Sequence, residues 1–514
     1  MPLLLLPPSP LHPHYPTLCS PTLRPSPFHS LSGVGPRAMS VTTLSSSYMS
    51  KESTVVEEAG PSTALSEPPD GGIRAWSTVA GAWMVQFSTF GFVIPFPCSR
   101  LSSHTVSVDT SVHLASTKTI IQPNFSPNKP LPTSGAVPAQ SNVDTLILSP
   151  ARSWIGSLQL CLMYAPGVLV GRAFDAGYFH HLEIFGSLLY VFCIFMLSLA
   201  KPQQYYQVFL SQAVGMGIGL GMTFLPSLSI VSQHFKKRRA LAIGIVVSGS
   251  SAGGIVFPIM LNYLFLSSRV NFATAVRASG AVVGGLLLVG NCLMRTRPLV
   301  KSGTARVKWV EMKDTIWDGA YLWSIAGAFF TSLGVYVPLF YLQLFASDHG
   351  VDARITTYCL AIMNAGSILG RLIPPFLADR LGVYNMLLPS IFMCAALIFS
   401  MFGATTSAGV ILVGLLFGFS SGAYISLIPS LLVSLCNNMG ELGIKMGCAY
   451  TVVAVAMLTG NPIAGALLGQ GHGNSQSLTW WPALVFTGLC ALLGLLFVFI
   501  SRALFVVRKG RQRV

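Results

Sequence analysis

From residue 74 onward, long apolar runs alternate with short polar stretches. The runs fall at about 74–96, 154–173, 182–200, 206–232, 240–265 and 273–294, and then at 320–345, 355–378, 385–403, 407–435, 443–468 and 480–506. Each is long enough to cross a hydrocarbon layer of roughly 30 Å as a helix. Numbered in chain order, they make six spans, a polar and basic stretch at 295–319, and six more. The pattern predicts an all-α polytopic membrane protein with about twelve transmembrane helices.

Composition agrees. Only 9% of the 514 residues are charged, 52% are hydrophobic, and the mean hydropathy is +0.64. A soluble chain carries roughly 25% charged residues. The net charge of +15 does not indicate a nucleic-acid partner, because the basic residues sit between spans and not along one polar face. With both termini in the cytoplasm, inner segments hold 22 of the 31 lysines and arginines, as the positive-inside bias requires. Integration in a lipid bilayer is expected. Eight of the ten cysteines lie in or beside spans and read as free, buried thiols. There is no CxxC pair, so no metal or redox site is expected.

The two halves repeat. Gly219-x6-Pro226-Ser227-Leu228 in span 4 returns as Gly422-x6-Pro429-Ser430-Leu431 in span 10, an offset of 203. Gly171-Arg172 returns as Gly370-Arg371 at an offset of 199, and Asp70-Gly71 as Asp318-Gly319 at 248. Two six-helix bundles in parallel repeat satisfy these matches. The jump in offset places an insertion of roughly 45–49 residues within 95–150, a Pro/Ser/Thr-rich segment without periodicity. It reads either as a long outer loop or as translated intron. Residues 1–69, equally rich in Ser, Thr and Pro, read as a disordered cytoplasmic tail, with Met39 and Met49 as alternative starts. Residues 507–514 form a basic cytoplasmic tail.

Candidate chemistry is sparse. No Walker loop, His/Cys cluster or nucleophile–base arrangement occurs, so neither an enzyme nor a cofactor is expected. Arg371 lies well inside span 8, eight residues from Asp379 and so roughly 12 Å along the helix. An intramembrane guanidinium costs at least ~2.5 kcal/mol unless it faces water, an anion or the protein interior. No acidic residue occupies the central part of any span, so the expectation is that a substrate supplies the negative charge. The alternative is an arginine that snorkels, or that bonds carbonyls freed by Pro374 and Pro375. Asn364 and Ser367 share its helix face, and Tyr336, Tyr341 and Tyr424 are candidates to stack on a flat substrate. Small residues in spans 4 and 5, such as Gly219 and Gly249, predict close helix packing. Arg172 and Asp175 at the end of span 2, with Asp379 and Arg380 at the end of span 8, predict a cytoplasmic latch. Asp175 is expected to reach Arg172, and Asp379 to face Arg380 or the basic run Lys236–Arg239.

Several segments carry a family resemblance. Pro69-Asp70-Gly71-Gly72-Ile73-Arg74-Ala75-Trp76 resembles the opening of helix 1 in the monocarboxylate-transporter family, a branch of the major facilitator superfamily. Ser153-Trp154-Ile155-Gly156-Ser157, the stretch from Phe224 to Ala242, and Ser248-Gly249-Ser250-Ser251 are similar to its fungal members. The resemblance covers about residues 69–94 and 152–510. It implies the major facilitator fold and movement, often proton-linked, of monocarboxylates or related small organic anions across the plasma membrane; fungal members also include riboflavin carriers. Arg371 matches the family's substrate-binding arginine. Ser367 stands where proton-coupled members place an aspartate, and the helix-1 lysine has no counterpart, so protons stay an open choice of coupling ion. The expectation is a secondary transporter of a small organic anion by alternating access, with riboflavin or a secondary metabolite as the alternative cargo. A non-transporting sensor or an inactive splice product are the other readings.

Overall fold

The computed structural model describes residues 70–93, 150–200, 205–266, 271–297, 317–436, 441–470 and 478–509. The tail at 1–69, the segment 94–149, the body of the central basic loop and residues 510–514 lie outside the described residues. Helix α1 comprises Ile73–Ser88, continued by Phe90–Val93. Helix α2 is Pro150–Tyr164 and Gly167–Asp175, interrupted at Pro166, and α3 is Phe179–Leu197. Helix α4 begins with Tyr205–Val208, runs through a π-wound segment Phe209–Met216 and ends as Gly217–His234; α5 is Arg239–Leu266 and α6 is Phe272–Leu293. The second half holds α7 (Gly319–Asp348), α8 (Ala353–Leu381), α9 (Val383–Ser400), α10 (Ser407–Ser434), α11 (Leu442–Leu467) and α12 (Trp481–Lys509). A two-residue antiparallel pair, Gly469–Gln470 with Leu478–Thr479, precedes α12. Among the described residues, eleven helices, all but α1, are long and apolar enough to cross a membrane.

Local chemistry sets the boundaries. Asp352 caps α8 by accepting from the Arg354 amide at 2.8 Å, and Thr406 caps α10 through the Gly409 amide at 3.2 Å, satisfying donors that a helix start leaves unpaired. Gly177 (φ +90°) and Gly382 (φ +103°) make the turns after α2 and α8 in a conformation other residues avoid. Span 3 starts three residues earlier than its apolar run suggests, which sets Glu183 a full turn inside the helix rather than at its edge.

Every third helix is peripheral. In α6 only 33% of the apolar window is buried, against 78% in α4. The exposed faces of α3 (Ile184, Phe185, Leu188, Phe192) and α12 (Leu489, Leu496, Phe499) are large and apolar, as a lipid-facing surface must be. Helices α1 to α6 pack as one bundle and α7 to α12 as a second, joined chiefly through α2–α11 and α5–α8. Advancing each number by six within the cycle turns one junction into the other, the pairing that the parallel repeat predicts.

Lipid supplies no hydrophobic drive for these contacts, so close backbone approach carries them. Gly219 of α4 abuts Gly186 of α3, and Gly249 of α5 lies against the Trp83 carbonyl of α1, as the small-residue pattern predicts. At the α2–α11 junction, a Cβ on Gly167 would lie 2.7 Å from the Gly447 carbonyl oxygen, and one on Gly171 would collide with the Gly443 carbonyl.

Candidate functional site

Arg371 projects from α8 into the junction with α5 and is 3% exposed. Its Nη1 donates to the Val247 carbonyl at 2.8 Å and to Ser250 Oγ, both on α5 in the other bundle. Nε is buried with no partner among the described residues. The approach is possible because Gly244 lies against the Arg371 carbonyl, where a Cβ would not fit. One turn away, Ser251 Oγ donates to Ser367 Oγ at 3.0 Å, a second bond between bundles. The guanidinium therefore neither snorkels nor bonds its own helix.

Tyr336 of α7 and Tyr164 of α2 lie within electrostatic range of Arg371, and their hydroxyls are 3.4 Å apart. Tyr164 stacks on Tyr450 of α11, ring centroids 5.2 Å apart at 11°. Phe224 of α4 meets both edge-on, at 5.4 and 5.7 Å. Such faces, within electrostatic range of a cation with an unused donor, are of the kind that suits a flat molecule carrying negative charge.

A second constellation closes one end of the bundle junction. The Asp175 carboxylate, at the end of α2, accepts from the amides of Gly443 and Ile444, each at 2.9 Å, at the start of α11. The Asp379 carboxylate, at the end of α8, accepts from the amides of Ala240 and Leu241 at 2.9 and 3.0 Å, at the start of α5. Each carboxylate thus fills the unpaired donors of a helix start in the opposite bundle, where the helix dipole favours negative charge. Nearby, Asp70 accepts from the amides of Lys236 and Lys237 at 2.5 and 2.6 Å. Partial burial works against its charge, but the amide bonds and the Lys237 charge outweigh it and hold the carboxyl below its ordinary value. Its repeat counterpart Asp318 instead caps its own helix through Ala320 and pairs with Arg508 at 2.8 Å.

The sequence model of the Major Facilitator Superfamily matches residues 134–443. An MFS-type transporter from an Ophiocordyceps species is 31% identical over 440 residues, 85% of this chain and 87% of its own length. The chain belongs to the Major Facilitator Superfamily. Among other relatives, the aspyridones efflux protein of Emericella nidulans is 33% identical over 83% of this chain and 78% of its own. The fujikurins efflux protein of Gibberella fujikuroi is 31% identical over 86% and 85%. The fold matches the superfamily transporter FucP, solved in its outward conformation, with a TM-score of 0.56 at 14% identity, over 83% of this chain and 97% of that one. It is an MFS transporter, built on the fold its two-part span pattern predicts.

Within this transporter, Tyr336 lies within electrostatic range of Arg371. Ser367 lies on the same junction but is engaged with Ser251, and Asn364 donates to its own helix at the Leu360 carbonyl, 2.9 Å away. Tyr424 bonds Ser332 (3.0 Å) and donates to the Ala328 carbonyl (3.1 Å); Tyr341 donates to the Asn461 carbonyl at 3.3 Å. Backbone amides, which the sequence did not suggest, bind both latch aspartates, Asp175 and Asp379. The expected proximity of Asp379 to the basic run is present, through the charge of Arg239. Arg380 lies over the Phe376 ring at 4.7 Å, and Arg172 is exposed beside its aspartate. Cys292 is exposed, not buried.

Sequence reasoning missed Tyr164, Tyr450 and Phe224, which read as ordinary aromatic positions until three helices converge. It also missed Ser250, whose hydroxyl meets a helix more than a hundred residues away in sequence. Sequence reasoning also passed over Glu183, an acid near the start of α3 that is 0% exposed. Lys445, 2% exposed in α11, donates to the Leu435 carbonyl at 3.2 Å.

Proposed function

We propose that this transporter carries a flat, acidic organic metabolite by alternating access, and that it works as an exporter in the plasma membrane with both termini cytoplasmic. The observation that carries the reading is the buried Arg371 Nε without a partner among the described residues, within electrostatic range of Tyr336 and of Tyr164, which stacks on Tyr450. An incoming carboxylate or enolate accepts from Nε and competes for Nη1, now held by Val247 and Ser250. Exchanging those bonds for the substrate loosens α8 from α5, so binding and release of the junction are one event. Export is favoured over uptake because relatives matched over most of their length are named for efflux of organic metabolites. A small monocarboxylate such as lactate, lacking a ring, leaves the tyrosine faces unused.

The test is counterflow in proteoliposomes with labelled benzoate, lactate and riboflavin, for wild type, Arg371→Lys and Arg371→Ala. Benzoate is expected to exceed lactate. Losing charge-assisted bonds worth ~1.5–3 kcal/mol lowers benzoate transport by Arg371→Ala about 10- to 100-fold, and Lys restores only part of it because it lacks the planar fork. Undiminished benzoate transport by Arg371→Ala removes the site; riboflavin outpacing both acids removes the anion.

A further inference from the structure

Among the described residues, Glu183 is a titratable side chain hidden completely and without a counter-ion. It lies four residues into α3, about 6 Å from the helix start, is 0% exposed, and neither carboxyl oxygen has a hydrogen-bond partner among the described residues. Helix α3 packs antiparallel to α4, with Tyr190 beside Gly219 and Gly186 beside Met222 and Thr223. One further turn of that register places Glu183 level with Pro226. Against α6 the register runs through Gly284 beside Val191 and the Asn291–Ser187 bond of 3.0 Å, which sets Glu183 level with the last turn of α6.

The charged and titratable groups around this position are His180 and His181 on α3 itself, Arg172 and Asp175 at the end of α2, His234 at the end of α4, and Cys292, Arg295 and Arg297 on or just after α6. None of them bonds Glu183: Asp175 is engaged by Gly443 and Ile444, His234 contacts the Arg295 carbonyl at 3.0 Å, and Cys292 is exposed. An ionised carboxylate here would be a buried charge without compensation, which costs several kcal/mol. A neutral acid is also a donor, and a carbonyl acceptor lies one turn along α4, level with Gly186. Pro226 lacks the amide that would otherwise bond the Met222 carbonyl one turn before it.

We propose that Glu183 is a proton-binding site of the amino-terminal bundle: a neutral acid while the Asp175 and Asp379 latch is closed, and a carboxylate once the latch opens and water reaches α3. The means of movement is present in α4, the helix that covers it. That helix carries a π-wound segment at Phe209–Met216 and an interior proline at Pro226, both of which weaken the regular hydrogen-bond ladder. The proton comes from water onto a carboxylate oxygen and returns to water from it, so the cycle binds a proton in one state and loses it in the other. This site is separate from Arg371 and does not depend on what Arg371 binds.

The test needs no substrate. Infrared spectra of the full-length protein in lipid nanodiscs report the carbonyl stretch of a protonated carboxylic acid. At pH 7, wild type should show such a band that Glu183→Gln lacks. Glu183→Leu, close in volume, serves as a second reference. Spectra identical to both variants would mean an ionised Glu183 and overturn the site. The band, assigned by adding Glu183→Gln, should then shrink in the Asp175→Asn/Asp379→Asn background in step with the open fraction seen by spin labels. A full-strength band in an open latch would overturn the coupling.

Discussion

Replacing Asp175 and Asp379 with asparagine should open the junction they close. Each carboxylate receives two amide bonds of 2.9–3.0 Å from a helix start in the opposite bundle. A bond to a charged acceptor contributes ~1.5–3 kcal/mol, and charge at a helix start adds ~0.3–1 kcal/mol. Asparagine keeps one carbonyl oxygen and can hold one amide, so each substitution removes about 2 kcal/mol from the closed state alone. At 1.4 kcal/mol per decade, that is about 30-fold in the open–closed ratio. The two sites lie on different helix pairs and should add, giving about 4 kcal/mol and near 1,000-fold for the double variant. Spin labels at Ala176 and Leu381, exposed positions at the ends of α2 and α8, read the ratio by double electron–electron resonance. Wild type should give one short distance, the single variants a mixture, and the double variant mainly a longer one. An unchanged short distance in the double variant would refute the reasoning, because the carboxylates would then be passive caps on a junction held by its glycines.

Those glycines give an independent prediction: Gly443→Val, which forces a side chain against the Gly171 carbonyl, should lengthen the same label distance even with both aspartates intact. Asp70 sets a pH dependence. Its carboxyl is held below the ordinary value, so its contribution is complete above the unfolded value near 4 and is lost as pH falls through the lower folded value. Trp76, whose ring lies 5.3 Å from Phe235 beside the Lys236–Lys237 turn, should report this as a change in fluorescence below about pH 4, and Asp70→Asn should show the acid-state signal already at pH 7. Tyr164→Phe removes one hydroxyl contact and should alter benzoate KM by less than about tenfold, since a neutral hydrogen bond is worth ~0.5–1.5 kcal/mol. Tyr450→Ala removes a stacking face and should raise KM more than Tyr164→Phe does, with expression and thermal unfolding as folding controls.

The scaffold was legible in the one-dimensional pattern because a bilayer leaves few choices. A backbone without water must satisfy itself, so each uncharged run becomes a helix. Repeated offsets between Gly219 and Gly422, and between Gly171 and Gly370, then fix how the two halves relate. Arg371 was legible for the same reason: one cation in an apolar run is costly enough to need an explanation.

What escaped the sequence depends on contacts between distant segments. Nothing around Asp175 says that its partners are the amides of Gly443 and Ile444, because backbone donors have no sequence signature. Tyr164, Tyr450 and Phe224 become one surface only where α2, α11 and α4 converge. Glu183 looked like a residue at the edge of a span, and only three-dimensional packing removed it from water. Sequence determined which stretches cross the membrane and how the halves repeat, since hydropathy and periodicity are local. Tertiary structure alone decided which buried polar groups are satisfied and which are left over, since that balance depends on neighbours supplied by other helices.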